Sequence, residues 1–114
     1  MSGNGVLYLL NAPLLTTYGR WVFEGPLSLE FVRELLLGEF ESAVGHESTA
    51  NLLTKLLGIE CKTNRCAVKM KTGDTAIIFR LLTRQSEGVI LSEDELANCS
   101  YEFGLLRCLE AAKL

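Results

Sequence analysis

The sequence predicts an α/β fold: a single domain with a mixed β-sheet of about five strands flanked by helices, α+β being the close alternative. Three observations predict it. Of the 114 residues, 48% are apolar, enough for one packed core and the right length for one domain. Apolar runs without alternation, such as "GVLYLL", suit strands buried on both faces. Two helical stretches with capping signals separate the strand candidates, the alternation expected of a sheet with helices packed on it. Residues 1–114 therefore read as one domain, with no internal repeat or low-complexity segment.

In chain order, "GVLYLLNA" is a buried strand ending at Asn11. "PLLTTYG" is a loop, and "RWVFE" a second strand stopped by Gly25-Pro26. Ser28 caps a helix through "LEFVRELLL", with Leu29, Val32 and Leu36 inward and Gly38 as its terminator. "EFESAVG" is a short extended segment leading to His46, the only histidine. Ser48 or Thr49 caps the next helix, in which Leu52, Leu53, Leu56 and Leu57 form one apolar stripe and Gly58 follows the last turn. "RCAVKMK" alternates, "TGD" turns and "TAIIFRLLT" continues, so Arg65 to Thr83 reads as a β-hairpin. After an irregular link, Ser92 and Glu95 make a capping box for a short helix, and "YEFGLLRCLE" is the final strand.

The net charge of −3 argues against a general nucleic-acid binder, but the charge is unevenly placed. Residues 55–84 carry seven cations against Glu60 and Asp74, whereas the flanking segments 1–54 and 85–114 are each −4. An anionic ligand is drawn to the middle segment, although a solvated basic face has the same composition. No apolar run spans a bilayer, and the N-terminus has neither a basic n-region nor a small-residue cleavage site. A cytoplasmic protein without a membrane partner is expected. Cys61, Cys66, Cys99 and Cys108 lack zinc-site spacing and are expected as buried thiols, their redox state being undetermined by sequence.

Chemistry centres on "GHEST". A histidine just before a helix stands beside backbone N–H groups that favour an anion, and Gly45 allows close approach. Ser48 and Thr49 add hydroxyls. His46 is suited to giving a proton to a leaving oxygen. On this stretch alone a plain loop histidine ahead of a capped helix is the simpler reading. Arg65 and Arg84 fall at one end of the expected hairpin, where two guanidiniums would grip a phosphodiester; two surface arginines is the other reading. Glu87 could orient Arg84 or share in proton transfer, and Asn11 could contact a base or sugar. Phosphate-loop, dinucleotide and nucleophile-elbow motifs are absent, as is any acidic cluster with a two-metal look. Metal-free transesterification by a ribose 2′-OH fits such a residue set better than metal-dependent DNA hydrolysis.

The motifs "LYLLNA", "AVGHESTANLLTKLLG", "KTNRCAVKMKTGD" and "TRQSEGVILSEDEL", in this order and spacing, resemble the viral ring nucleases that act as type III anti-CRISPR proteins. The resemblance implies a ring-nuclease domain that forms a homodimer and binds cyclic tetra-adenylate. It implies metal-independent opening of that ring to linear di-adenylates with 2′,3′-cyclic phosphate ends, without a cofactor. By the same resemblance His46, Arg84 and Glu87 are the catalytic group. Asn11, Gly45, Ser48, Thr49 and Arg65 are ligand contacts, and Arg80 stands where a glutamine contact is common. The chain departs from the pattern at Pro13 and Leu14. A cellular ring nuclease tempering its own CRISPR response, or a non-catalytic nucleotide binder, are the alternatives; no stable DNA partner is expected.

Overall fold

The computed structural model describes residues 5–12, 15–82, 92, 94, 95 and 100–112. Strand β1 (Leu7–Leu10) is an inner strand of the sheet, and its short apolar run leaves Leu9 and Leu10 buried. The other elements are β2 (Gly19–Glu24), α1 (Leu29–Leu35), β3 (Glu41–Ser42), α2 (Glu47–Leu57), β4 (Thr75–Leu81) and β5 (Tyr101–Ala111). The sheet order is β2-β5-β4-β1-β3. β1 is parallel to both β3 and β4, while β5 runs antiparallel to β4 and β2. The mixed five-stranded sheet with helices is the α/β architecture expected from the sequence.

The pleat divides the core in two. Leu9, Ile77, Phe79, Phe103 and Leu105 meet the apolar sides of the helices, where Val32, Leu36, Leu52, Leu53 and Leu57 are buried. Phe79, Tyr101 and Phe103 add ring contacts with centroids 5.3 to 6.0 Å apart. Leu10, Ala76, Ile78, Leu106 and Cys108 face the other way, under Met70, Trp21 and Val68. Each leucine fully removed from water contributes roughly 1.5–3 kcal/mol, so the α2 stripe anchors that helix.

Both helices start as their first turns dictate. Ser28 Oγ accepts the Phe31 N–H at 3.1 Å, as the capping pattern requires. The first helix ends earlier than expected: Leu36 is its C-cap, and Gly38, at ordinary φ, takes no part in the ending. Gly58 does adopt the left-handed conformation, at φ 68°, with its N–H on the Thr54 carbonyl. α2 also starts earlier than expected. His46 is its N-cap and accepts the Ala50 N–H at 3.0 Å, so Ser48 and Thr49 lie inside the first turn rather than capping it.

The larger correction concerns the hairpin. Residues 64–71 form no strand, and β4 pairs with β1 and β5 instead. The alternation of "RCAVKMK" is real, since Met70 is buried and Arg65, Ala67, Lys69 and Lys71 are exposed. It arises because this segment lies across the second face of the sheet, with the Met70 N–H on Thr16 Oγ1. β1, with two parallel neighbours, already occupies the place a hairpin partner would need. The "TGD" turn holds: Asp74 N–H donates to the Lys71 carbonyl, and Gly73 has φ 92°. Ser92 and Glu95 make the reciprocal capping-box bonds, at 3.0 and 3.2 Å. The rest of that helix, Cys99, the Pro13–Leu14 step, Arg84 and Glu87 lie outside the described residues. Cys61 and Cys108 are buried free thiols as expected, but Cys66 is exposed. Among the described residues no helix is long and apolar enough to cross a membrane.

Candidate functional site

The carboxyl ends of parallel strands are where open α/β sheets leave a crevice. Here the ends of β1 and β3 open into a cleft of about 310 Å³ lined by Leu10, Asn11, Ala12, Ala43, Gly45, His46, Arg65, Cys66, Ala67 and Val68. Asn11 directly follows β1, and Gly45 and His46 follow β3 after the buried Val44. His46 is half-buried, in extended backbone at the N-terminus of the 11-residue α2, and its side chain makes no capping bond. The helix end therefore presents its positive pole towards the cleft. The exposed Glu47, first residue of the helix, partly offsets that field.

Arg65 arrives by a different route from the hairpin the sequence suggested. After α2, Thr54 Oγ1 accepts the Cys61 N–H at 2.9 Å and fixes the turn. The chain then runs beside β3. Ser42 Oγ donates to the Lys62 carbonyl at 2.6 Å, Asn64 Nδ2 donates to the Ser42 carbonyl, and Asn64 N–H donates to the Val44 carbonyl. A parallel bridge between Val44 and Thr63 completes the attachment. The next residue is Arg65, and its Cγ lies 3.7 Å from where a Cβ on Gly45 would stand. Glycine at position 45 thus leaves the guanidinium stem and the histidine loop side by side with open space between.

Four expected site residues are brought together in this cleft: Asn11, Gly45, His46 and Arg65. Ser48 and Thr49 stand in the first turn of α2, with Ser48 half-buried and Thr49 6% exposed, so the Thr49 hydroxyl is not open to a ligand. Arg80 is not brought in. It lies on β4 opposite Glu102 of β5, and lines a smaller cleft with Phe23, Pro26 and Gly104. Arg84 and Glu87 fall outside the described residues, so the structure places neither. The cleft's small apolar wall of Ala12, Ala43, Ala67 and Val68, with Cys66 beside it, was missed from sequence. The alternation of "RCAVKMK" suggested a strand face and concealed a cleft wall. Nearby, burial pushes the Tyr8 hydroxyl above its ordinary range, helped by the Asp74 and Glu41 carboxylates and by Cys66, so it stays a neutral phenol.

Chemically, the cleft combines a proton donor, a cation, an amide and a helix N-terminus above an apolar wall. That set suits a phosphate ester with a base or sugar attached.

Comparisons with known proteins agree on one family. Residues 7–103 match the family model described as STIV B116-like. YddF of Bacillus subtilis strain 168 is 36% identical over 104 residues, covering 89% of this chain and 95% of that one. Protein 26 of a Sulfolobus islandicus filamentous virus is 37% identical over 105 residues, covering 88% and 89%. Among solved structures, B116 of Sulfolobus turreted icosahedral virus superposes with a TM-score of 0.69 at 28% identity, covering 90% of this chain and 99% of that one.

Proposed function

The chain belongs to the STIV B116-like family, and from that premise we propose that it is a metal-independent ring nuclease opening cyclic tetra-adenylate. The observation that carries the reading is the cleft at the carboxyl ends of β1 and β3, which gathers Asn11, Gly45, His46 and Arg65 from separate parts of the chain. The resemblance of the sequence motifs to the viral ring nucleases supplies the substrate.

In the proposed reaction a ribose 2′-oxygen attacks the adjacent phosphorus and the P–O5′ bond breaks. His46 gives its proton to the departing 5′-oxygen, and the 2′-OH proton passes to Glu87 or water. The ends formed are a 2′,3′-cyclic phosphate and a 5′-hydroxyl, and two cuts give two linear di-adenylates. Arg65 and the α2 N-terminus balance charge at the phosphorane, Arg84 positions the ribose and phosphate, and Asn11 holds a base or sugar edge. Arg80 adds no contact within a single protomer.

A cleft of about 310 Å³ is at the low end for small-ligand sites and holds only part of a four-nucleotide ring. A two-fold homodimer supplies the remainder and sets one His46 at each of two opposite phosphodiesters, matching the symmetry of the ring. In a viral setting the activity removes the messenger of type III CRISPR defence from the host cytoplasm. The bacterial relative favours a second setting, a cellular enzyme that tempers its own response by the same chemistry.

The test is incubation of labelled cyclic tetra-adenylate with excess EDTA, for wild type and His46→Ala. Wild type is expected to give di-adenylates with cyclic phosphate ends, and His46→Ala to lose ~10²–10⁴-fold in rate. A ring left intact after many equivalents of wild type sinks the enzyme reading in favour of a binder. A metal requirement contradicts the metal-free step.

A further inference from the structure

Arg65 is the cation of the His46 cleft, and its place depends on the residue before it. Asn64 bonds twice to the chain that leads into the histidine loop. Its backbone N–H donates to the Val44 carbonyl at 2.8 Å, and its side-chain Nδ2 donates to the Ser42 carbonyl at 2.9 Å. These are alternate carbonyls of one edge, since the Ala43 N–H between them donates to the Leu9 carbonyl on the β1 side. The amide side chain therefore takes an acceptor that a neighbouring strand would otherwise use. A side chain spent in this way competes with the ladder and ends it. After the bridge between Val44 and Thr63 the chain leaves the edge, and Arg65 is the first residue past Asn64.

Beyond that point the chain has few holds. Among the described residues the next hydrogen bond along it is the Met70 N–H on Thr16 Oγ1. Arg65, Cys66 and Ala67 are exposed, and the first apolar anchors are the half-buried Val68 and the buried Met70. Arg65 to Val68 is also one wall of the cleft. That wall is a strap, fixed at one end by Asn64 and at the other by Val68 and Met70. Gly45 has no side chain to brace it, and the Arg65 Cγ lies 3.7 Å from where a Cβ would stand. From the Asn64–Val44 bond it is one residue to Arg65 and two to His46. This junction sets the guanidinium against the imidazole.

We infer that Asn64 is the positioning residue of the cleft, holding the near end of the strap so that Arg65 meets the phosphate where charge develops. Its part in the reaction rests on the proposed ring opening. Asn64 is not among the residues lining the cleft, so it acts through Arg65 and not on the substrate. The side-chain donor is what counts. Asn64→Asp keeps the shape but sets a carboxylate against the Ser42 carbonyl. Asn64→Ala leaves that carbonyl to water, which reaches it because the bond is exposed. Neither change touches the core, and both release the strap.

Two experiments test the inference, and one needs no turnover. By backbone amide relaxation in NMR, the order parameters of Arg65 to Ala67 should fall from about 0.85 in wild type to below about 0.6 in either variant, with α2 and β1 unchanged. Order parameters that do not change between wild type and variants overturn the inference, whatever the protein does to cyclic tetra-adenylate. In steady-state cleavage of that ring, Asn64→Ala should lose about 10-fold in kcat while KM moves less than about threefold, since misplacing a charge costs most where charge develops. In an Arg65→Ala background the same substitution should cost less than about twofold, because no guanidinium is left to place. An equal loss with and without Arg65 assigns Asn64 a merely structural role and overturns the inference. A wild type that leaves the ring intact defeats the ring-nuclease reading, and the relaxation measurement still decides whether Asn64 holds the strap.

Discussion

Asp74 is 5% exposed, and its carboxylate accepts the Val6 N–H on Oδ1 and the Lys71 N–H on Oδ2, both at 2.8 Å. It thereby ties the entry to β1 to the turn before β4, where the two parallel strands begin side by side. Asp74→Ala removes both acceptors and leaves the backbone bonds of residue 74 in place. Hydrogen bonds to a charged group contribute about 1.5–3 kcal/mol each. Val6 and Lys71 are exposed enough to regain some water, which favours the lower figure. The expected loss is about 3 kcal/mol, or on the order of 10 °C in Tm for a domain of this size. Asp74→Asn keeps one acceptor and turns an N–H₂ towards the other donor, so it should lose about half as much. Urea unfolding followed by circular dichroism measures both, with an unchanged m-value showing that the unfolded state is the same. Because the carboxylate lies at the amino ends of β1 and β4, away from the cleft, ring cleavage by the folded fraction should persist. A loss below about 1 kcal/mol for Asp74→Ala, or a larger loss for Asn than for Ala, would refute the reasoning.

Two other outcomes are expected. Arg65→Ala should lower kcat/KM for cyclic tetra-adenylate by roughly 10–100-fold, the loss of one charge-assisted phosphate contact, whereas Arg80→Ala, outside the His46 cleft, should change it less than about threefold; steady-state kinetics on the two variants decides it. Burial pushes the Cys61 and Cys108 thiols above the ordinary value of 9.0. The folded state then holds protons that the unfolded chain releases. Their stabilising effect is complete below pH 9 and lost as pH rises beyond it, so the urea midpoint should fall between pH 7.5 and pH 10. Peptide mapping after brief alkylation at neutral pH should find Cys66 modified and Cys61 and Cys108 protected.

Much of the fold was legible because local signals and tertiary structure agree. The unalternated apolar run of β1 did mark a strand buried on both faces, with Leu9 in one half of the core and Leu10 in the other, and the leucine stripe of α2 did mark its buried face. The hairpin failed because period-two alternation reports one buried and one exposed face, whatever covers the buried one. Residues 65–71 have that pattern by lying on a sheet rather than within it. The helix start was misplaced because Ser48 and Thr49 are good caps, while His46, still in extended backbone, is the N-cap and Glu47 already opens the helix. The gathering of Asn11, Gly45, His46 and Arg65 depends on the parallel β1–β3 pair and on the bonds of Ser42 and Asn64. Neither has a signature in local sequence. Arg65 was correctly singled out by its charge, but its route to the cleft is not the one that the hairpin implied.

The central claim, that His46 protonates the departing 5′-oxygen, is tested most directly by changing the leaving group. In a cyclic tetra-adenylate whose scissile bridging 5′-oxygens are replaced by sulfur, the departing thiolate needs no proton. The account predicts that His46→Ala, slow on the oxygen ring, cleaves the sulfur ring at close to the wild-type rate. An equal deficit on both rings would contradict it and assign His46 to binding or to the attacking hydroxyl.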